Sequence, residues 1–132
     1  MADKGNIAAE GAKGVVVWAI DARGRMPARE YFDGLAEGEK AKVLAVFQLL
    51  ADQWKITNPE KFGRLGSRAK GDGRKLFKFK SFQQRFLGDY RPGFTFVVAH
   101  GTLKKKDDMD PTDIATAVRV LAEHDKRGER GE

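Results

Sequence analysis

Between Lys75 and Lys106 apolar and charged residues alternate more tightly than anywhere else in the chain. Phe77 and Phe79 fall on one side of an extended backbone and Lys78 and Lys80 on the other, the period of a strand with one buried and one wet face. A second short strand, Gln84 to Leu87, carries Arg85. A third, Phe94 to His100, follows Asp89-Tyr90-Arg91-Pro92-Gly93, a turn in which proline fixes one dihedral and glycine frees the next. Three strands in succession predict an antiparallel meander. Upstream, the β-branched run Val15 to Ile20 suits a strand covered on both faces. Helical spacing takes over in three places. Pro27 opens a short helix with Ala28, Phe32 and Leu35 on one side, and Glu39 to Trp54 aligns Val43, Phe47, Leu50 and Trp54. Asp110, Pro111 and Asp113 read as N-cap, N1 and N3 of a last helix whose buried face is Ile114, Ala117, Val118 and Leu121.

These elements predict an α+β fold in the order β-α-α-β-β-β-α, with a four-stranded, mainly antiparallel sheet packed against helices. The N-terminal strand is expected beside one of the later strands. Residues 1–14, with Gly5, Gly11 and Gly14 and no periodicity, read as a disordered leader; 15–126 form one domain and 127–132 a frayed tail. Lys55 to Arg74 is glycine-rich and basic, a loop with one anchored turn at Phe62 to Leu65.

Composition narrows the setting. A chain of 132 residues, 41% hydrophobic and 33% charged, supports one core and a well-charged surface. It has no cysteine, which removes disulfides and thiolate metal sites and suits a reducing cytosol. The longest apolar run is far too short to span a membrane, and the N-terminus lacks the apolar segment of a signal peptide. A cytoplasmic protein with no membrane partner is therefore expected. Two distant histidines and no spaced carboxylate cluster argue against a metal, and the glycines of Gly63 to Gly73 do not match a phosphate loop, so no cofactor is expected.

The net charge of +6 is unevenly placed. Lys55 to Lys106 holds 14 Lys/Arg against 3 Asp/Glu, a local +11, which leaves −5 for the rest. Segregation of this kind points to a polyanion, most simply nucleic acid, with a merely solvated lysine-rich surface as the plain alternative.

The segment Leu76 to Ala117 resembles the RelE/ParE superfamily of bacterial toxins, in particular its phage-derived Gp49-like, HigB-type branch. The likeness lies in Leu76-Phe77-Lys78-Phe79-Lys80, in the arginine-bearing Arg85-Phe86-Leu87, in His100-Gly101-Thr102-Leu103-Lys104-Lys105 at the end of an apolar strand, and in the helix start Pro111-Thr112-Asp113-Ile114. In element order it extends from Val15 to about Lys126. The resemblance implies a RelE-like fold and the toxin of a type II toxin-antitoxin system: a ribosome-dependent mRNA interferase, an endoribonuclease that needs no metal. In that chemistry the ribose 2′-hydroxyl attacks the adjacent phosphate and cations stabilise the pentavalent transition state. The implied partners are mRNA on the ribosome and a cognate antitoxin, a helix-turn-helix protein from an adjacent gene.

Carried over residue by residue, Arg85 matches the strand arginine and would brace the phosphate, its plain alternative being an exposed residue paired with Asp89. Lys104 and Lys105 match the basic pair after the last strand, suited to clamping phosphate or protonating the leaving oxygen. Lys80 stands where relatives have arginine, and Lys78 where many have glutamate, which leaves no carboxylate general base there. His100 is a further catalytic candidate, although its phase with Phe94, Phe96 and Val98 also fits a buried structural histidine. Arg74, Lys75, Lys78, Arg91 and Lys106 complete the expected RNA-binding set. Tyr90 and Arg91 suit either gripping a base or shaping the turn. Two other functions remain open within the same fold: a ParE-like gyrase inhibitor, and an inactive phage-derived nucleic-acid-binding protein.

Overall fold

The computed structural model describes residues 4–65, 76–104 and 109–129. Its sheet has six strands rather than the expected four: β1 (Ile7–Glu10), β2 (Val15–Trp18), β3 (Phe62–Arg64), β4 (Phe77–Ser81), β5 (Gln84–Arg91) and β6 (Thr95–Leu103). They lie side by side in the order β1-β2-β6-β5-β4-β3. The sheet is mixed. β2 runs parallel to β6, with Val15 opposite Thr95 and Trp18 opposite Val98, while the other pairings are antiparallel. The helices are α1 (Pro27–Asp33), α2 (Glu37–Gln53) and α3 (Pro111–Glu129). The class is therefore α+β as expected, but the element order carries two strands that the predicted order lacks.

Alternation along each strand sorts the core into two layers. Val16, Trp18, Phe79, Phe86, Phe96 and Val98 pack under α1 and α2, against Phe32, Val43, Phe47 and Leu50. Val17, Ala19, Leu87, Val97 and Ala99 pack under α3, against Ala117, Val120 and Leu121. The first layer is aromatic: Phe47 meets Phe79 and Phe86 edge-on at 4.7 and 5.6 Å, and Trp18 at 5.6 Å. Phe47 is wholly buried, so Phe47→Ala would cost about 3–5 kcal/mol.

Each added strand is held by contacts distant in sequence. Residues 4–14, expected as a disordered leader, contain a 3-10 turn at Lys4–Asn6 and then β1, which pairs with β2. The loop between β1 and β2 caps helix α2: the N–H groups of Lys13 and Gly14 both donate to the Ala51 carbonyl at 2.9 Å. Gly14 is required by this contact, because a Cβ there would lie 2.5 Å from the Phe94 carbonyl oxygen and from the Trp54 ring. At the other edge, Phe62 anchors strand β3, where a turn was expected. Its ring stacks on Phe77 at 5.5 Å and tilts onto Phe79 at 4.8 Å.

The meander also differs in detail. β5 continues through Asp89, Tyr90 and Arg91, and the turn is made by Pro92, Gly93 and Phe94. Tyr90 is not at a turn tip; it packs on Trp54, Phe77 and Phe96. α3 begins as expected, with Asp110 Oδ1 accepting the Thr112 N–H at 2.8 Å. It runs on to Glu129, past the point where fraying was expected.

Candidate functional site

A β-bulge builds the site. Leu87 of β5 lies opposite His100 and Gly88 opposite Val98, so Ala99 has no counterpart. Gly88 permits the close approach, since a Cβ there would sit 2.1 Å from the Val97 carbonyl oxygen. Beyond the bulge the alternation of β6 changes phase. His100, predicted in phase with Phe96 and Val98, turns instead to the α3 face, where its Nε2 lies 2.8 Å from Asp113 Oδ1 at the start of α3. Phe94 drops out of the pattern altogether; it precedes β6 and is 63% exposed.

Two rows of residues then cross this face. One runs Lys78, Leu87, His100 and the other Lys80, Arg85, Thr102. Residues directly opposite have Cβ atoms about 5 Å apart, so the side chains of Lys80 and Arg85 leave the sheet side by side. Lys104 follows one residue past the end of β6, held by donation of its N–H to the Gln83 carbonyl at 2.6 Å. Arg74, Lys75, Lys105 and Lys106 lie outside the described residues.

Arg85 is the unusual group. It is 8% exposed, and its Nη1 donates to the carbonyls of Phe82 at 2.6 Å and Gln84 at 2.8 Å. Among the described residues no carboxylate pairs with it; Asp89, its expected alternative partner, is bound elsewhere. Burial pushes its pKa below the usual arginine value, yet a guanidinium stays charged at any ordinary pH. The fold thus holds a buried cation, met by backbone dipoles, on a strand position opposite Lys80.

Arg91 does not join this set. Six residues along β5, about 20 Å away, its Nε and Nη2 grip Asp125 at 2.9 and 3.0 Å and its Nη1 donates to Asp89 at 3.1 Å. The Asp125 hydrogen bond raises its pKa. It is a clasp between the sheet and α3, not a free RNA contact. His124 is structural as well: its Nδ1 accepts the Ile20 N–H at 2.9 Å, and burial lowers its pKa.

Below the site, on the opposite sheet face, Tyr31 donates to Gln84 Oε1, and Gln84 Nε2 donates to Glu39 at 2.6 Å. Burial, with help from the Glu39 charge, raises the Tyr31 pKa. This chain fixes the start of β5 to both α1 and α2.

Sequence reasoning named Lys78, Lys80, Arg85, His100 and Lys104, and the sheet gathers all five toward one end. It missed Asp113 as the partner of His100 and Thr102 as the neighbour of Arg85. Asp113 had one legible role, at the helix start, and no local signal tied it to a strand. Among the described residues no helix is long and apolar enough to cross a membrane. No protein-family model and no curated protein sequence matches this chain.

Proposed function

We propose that the protein is the toxin of a type II toxin-antitoxin system, a cytoplasmic endoribonuclease that cuts mRNA on the ribosome without a metal. The observation that carries this reading is Arg85, a buried guanidinium with no carboxylate partner among the described residues and with Lys80 opposite it. Concentrating cations in a partly dry site is unfavourable unless an anion completes it. A phosphodiester fits a planar fork flanked by ammonium groups.

In this mechanism Arg85 and Lys80 bind the scissile phosphate and stabilise the added charge of the pentavalent state. His100, oriented by Asp113, takes the proton from the 2′-hydroxyl as that oxygen bonds to phosphorus. Lys104 gives a proton to the departing 5′-oxygen, leaving a 2′,3′-cyclic phosphate. Lys78 extends the cationic track along β4. A RelE-like framework is part of the proposal: the four interior strands and three helices follow the expected order, with β1 and β3 added at the edges. The partner that would restrain such a site is an antitoxin with an acidic segment, encoded nearby.

Primer extension on a defined message in a bacterial translation extract tests this. New cuts with cyclic-phosphate ends are expected, dependent on ribosomes and absent with Arg85→Ala. Intact message and normal translation would overturn the reading; salt-sensitive RNA binding without cuts would leave only the nucleic-acid-binding part.

A further inference from the structure

The tip of the β4–β5 hairpin carries an aromatic ring that the core does not use. Phe82 is 71% exposed, the most exposed large apolar side chain among the described residues. Its backbone is left-handed, φ 54°, a conformation that disfavours bulky residues and suits asparagine or glycine. Phe94 shares both traits, but it rests on the Trp54 ring at 5.9 Å. Phe82 has no aromatic neighbour among the described residues; its ring lies under the Lys42 ammonium, 4.1 Å from the centroid. Its own carbonyl receives the Arg85 guanidinium at 2.6 Å, so ring and anion-seeking group are parts of one rigid turn.

Beside the ring runs an open groove of about 470 Å³ between α2, the end of β4 and the residues leading into β3. Leu49 and Val46 form its floor, and Lys42, Lys61 and Lys80 surround it against the single carboxylate of Glu60. Lys80 lines the groove on the α2 side and pairs with Arg85 across the ladder, so a strand that reaches both passes round the end of the hairpin.

We propose that Phe82 is a stacking platform for an unpaired nucleobase, the groove taking the nucleotide next to the phosphate held at Arg85. Every base has a π-face, so a lone exposed ring beside ammonium groups binds single strands with little sequence preference. The lysines meet the backbone phosphates while the apolar floor meets the base. This inference rests on the phosphate-binding reading of Arg85 and adds the part of the ligand that Arg85 cannot sense.

The test compares a deoxyadenylate hexamer, which lacks the 2′-hydroxyl and survives intact, with an abasic hexamer of the same backbone. Affinities are measured by fluorescence anisotropy at low salt. Wild type should bind the base-bearing strand about tenfold or more tightly than the abasic one. Phe82→Asn should fold at least as well, because asparagine accepts the left-handed backbone, and should erase that preference without changing abasic affinity. Phe82→Trp should keep the preference, and its added indole should be quenched by the base-bearing strand only. Equal affinity of Phe82→Asn and wild type for the base-bearing hexamer would overturn the stacking role. Arg85→Ala separates the two readings: if it leaves abasic affinity intact, the phosphate site fails while the Phe82 comparison still stands on its own result. Binding of neither strand by wild type would overturn both.

Discussion

Strand β5 presents two arginines to the same face of the sheet, and they live in opposite electrostatic worlds. Arg91 is held by two carboxylates, bidentate to Asp125 and singly to Asp89. Arg85 is more deeply buried and has two carbonyls. An arginine that serves the fold is completed by the protein itself; one that is left incomplete while buried marks where a ligand is expected to complete it. Sequence reasoning separated them by place, Arg85 on a strand and Arg91 in a turn, and not by the partner each finds.

The sharpest way to break this contrast is to truncate each in turn. Arg85→Ala should lower cleavage in the translation extract about 100-fold or more, the scale of losing a pre-organised charge stabiliser. Its thermal midpoint should barely move, because no protein carboxylate is left unpaired. Arg91→Ala should do the reverse. It strands Asp125 and Asp89 at a partly exposed interface, so a loss of about 2 kcal/mol is expected by urea unfolding, discounted for solvent screening, with activity per folded molecule unchanged. If Arg91→Ala cut activity as deeply as Arg85→Ala at equal folding, the division of labour would be wrong.

Asp113→Asn sharpens the active end. It should lower the maximal cleavage rate about tenfold while leaving the apparent KM for message unchanged, with partial rescue by Asp113→Glu, as for a residue that positions His100. Equal changes in rate and KM would instead point to a general disturbance of the α3 start. The smallest effect belongs to the structural end, at His124. Its pKa is lowered in the fold, mainly by burial, so the unfolded chain takes up the proton first. Stability should be full above about pH 6.5. It should fall as pH drops below that value toward the lower folded pKa, by no more than about 1.4 kcal/mol per pH unit. His124→Asn, followed by urea midpoints from pH 7.5 to 5, should flatten that slope.

Much of the framework was legible because it is periodic. Phe77 and Phe79 against Lys78 and Lys80, and Val43, Phe47 and Leu50 along α2, are patterns whose physical cause lies within a few residues. What escaped depends on distant contacts. Gly14 looked like chain without structure, yet its missing side chain is what lets the β1–β2 loop sit on Trp54 and the end of α2. Phe62 sat in a basic, glycine-rich run, and its packing on Phe77 and Phe79, with the pairing to β4, makes β3 a strand. The same limit shaped the site. Arg85, Lys80 and Lys104 were named from the sequence, but the pairing of His100 with Asp113 required knowing which face His100 occupies. Arg91 was expected to meet RNA, and no local signal showed its clasp on Asp125, 34 residues away.

The unpaired Ala99 gives strand β6 something like a reading frame. Up to Val98 the even-numbered positions serve the aromatic layer; from His100 onward the same positions serve the candidate site on the opposite face. Straightening the strand into a regular ladder with Ala99 kept would therefore act as a frameshift in folded space. The core half of the strand would keep its meaning, and His100, Thr102 and Lys104 would be translated to the wrong side of the sheet. Any alignment or redesign that treats this strand as nine interchangeable extended residues would erase the site while leaving the hydrophobic pattern untouched.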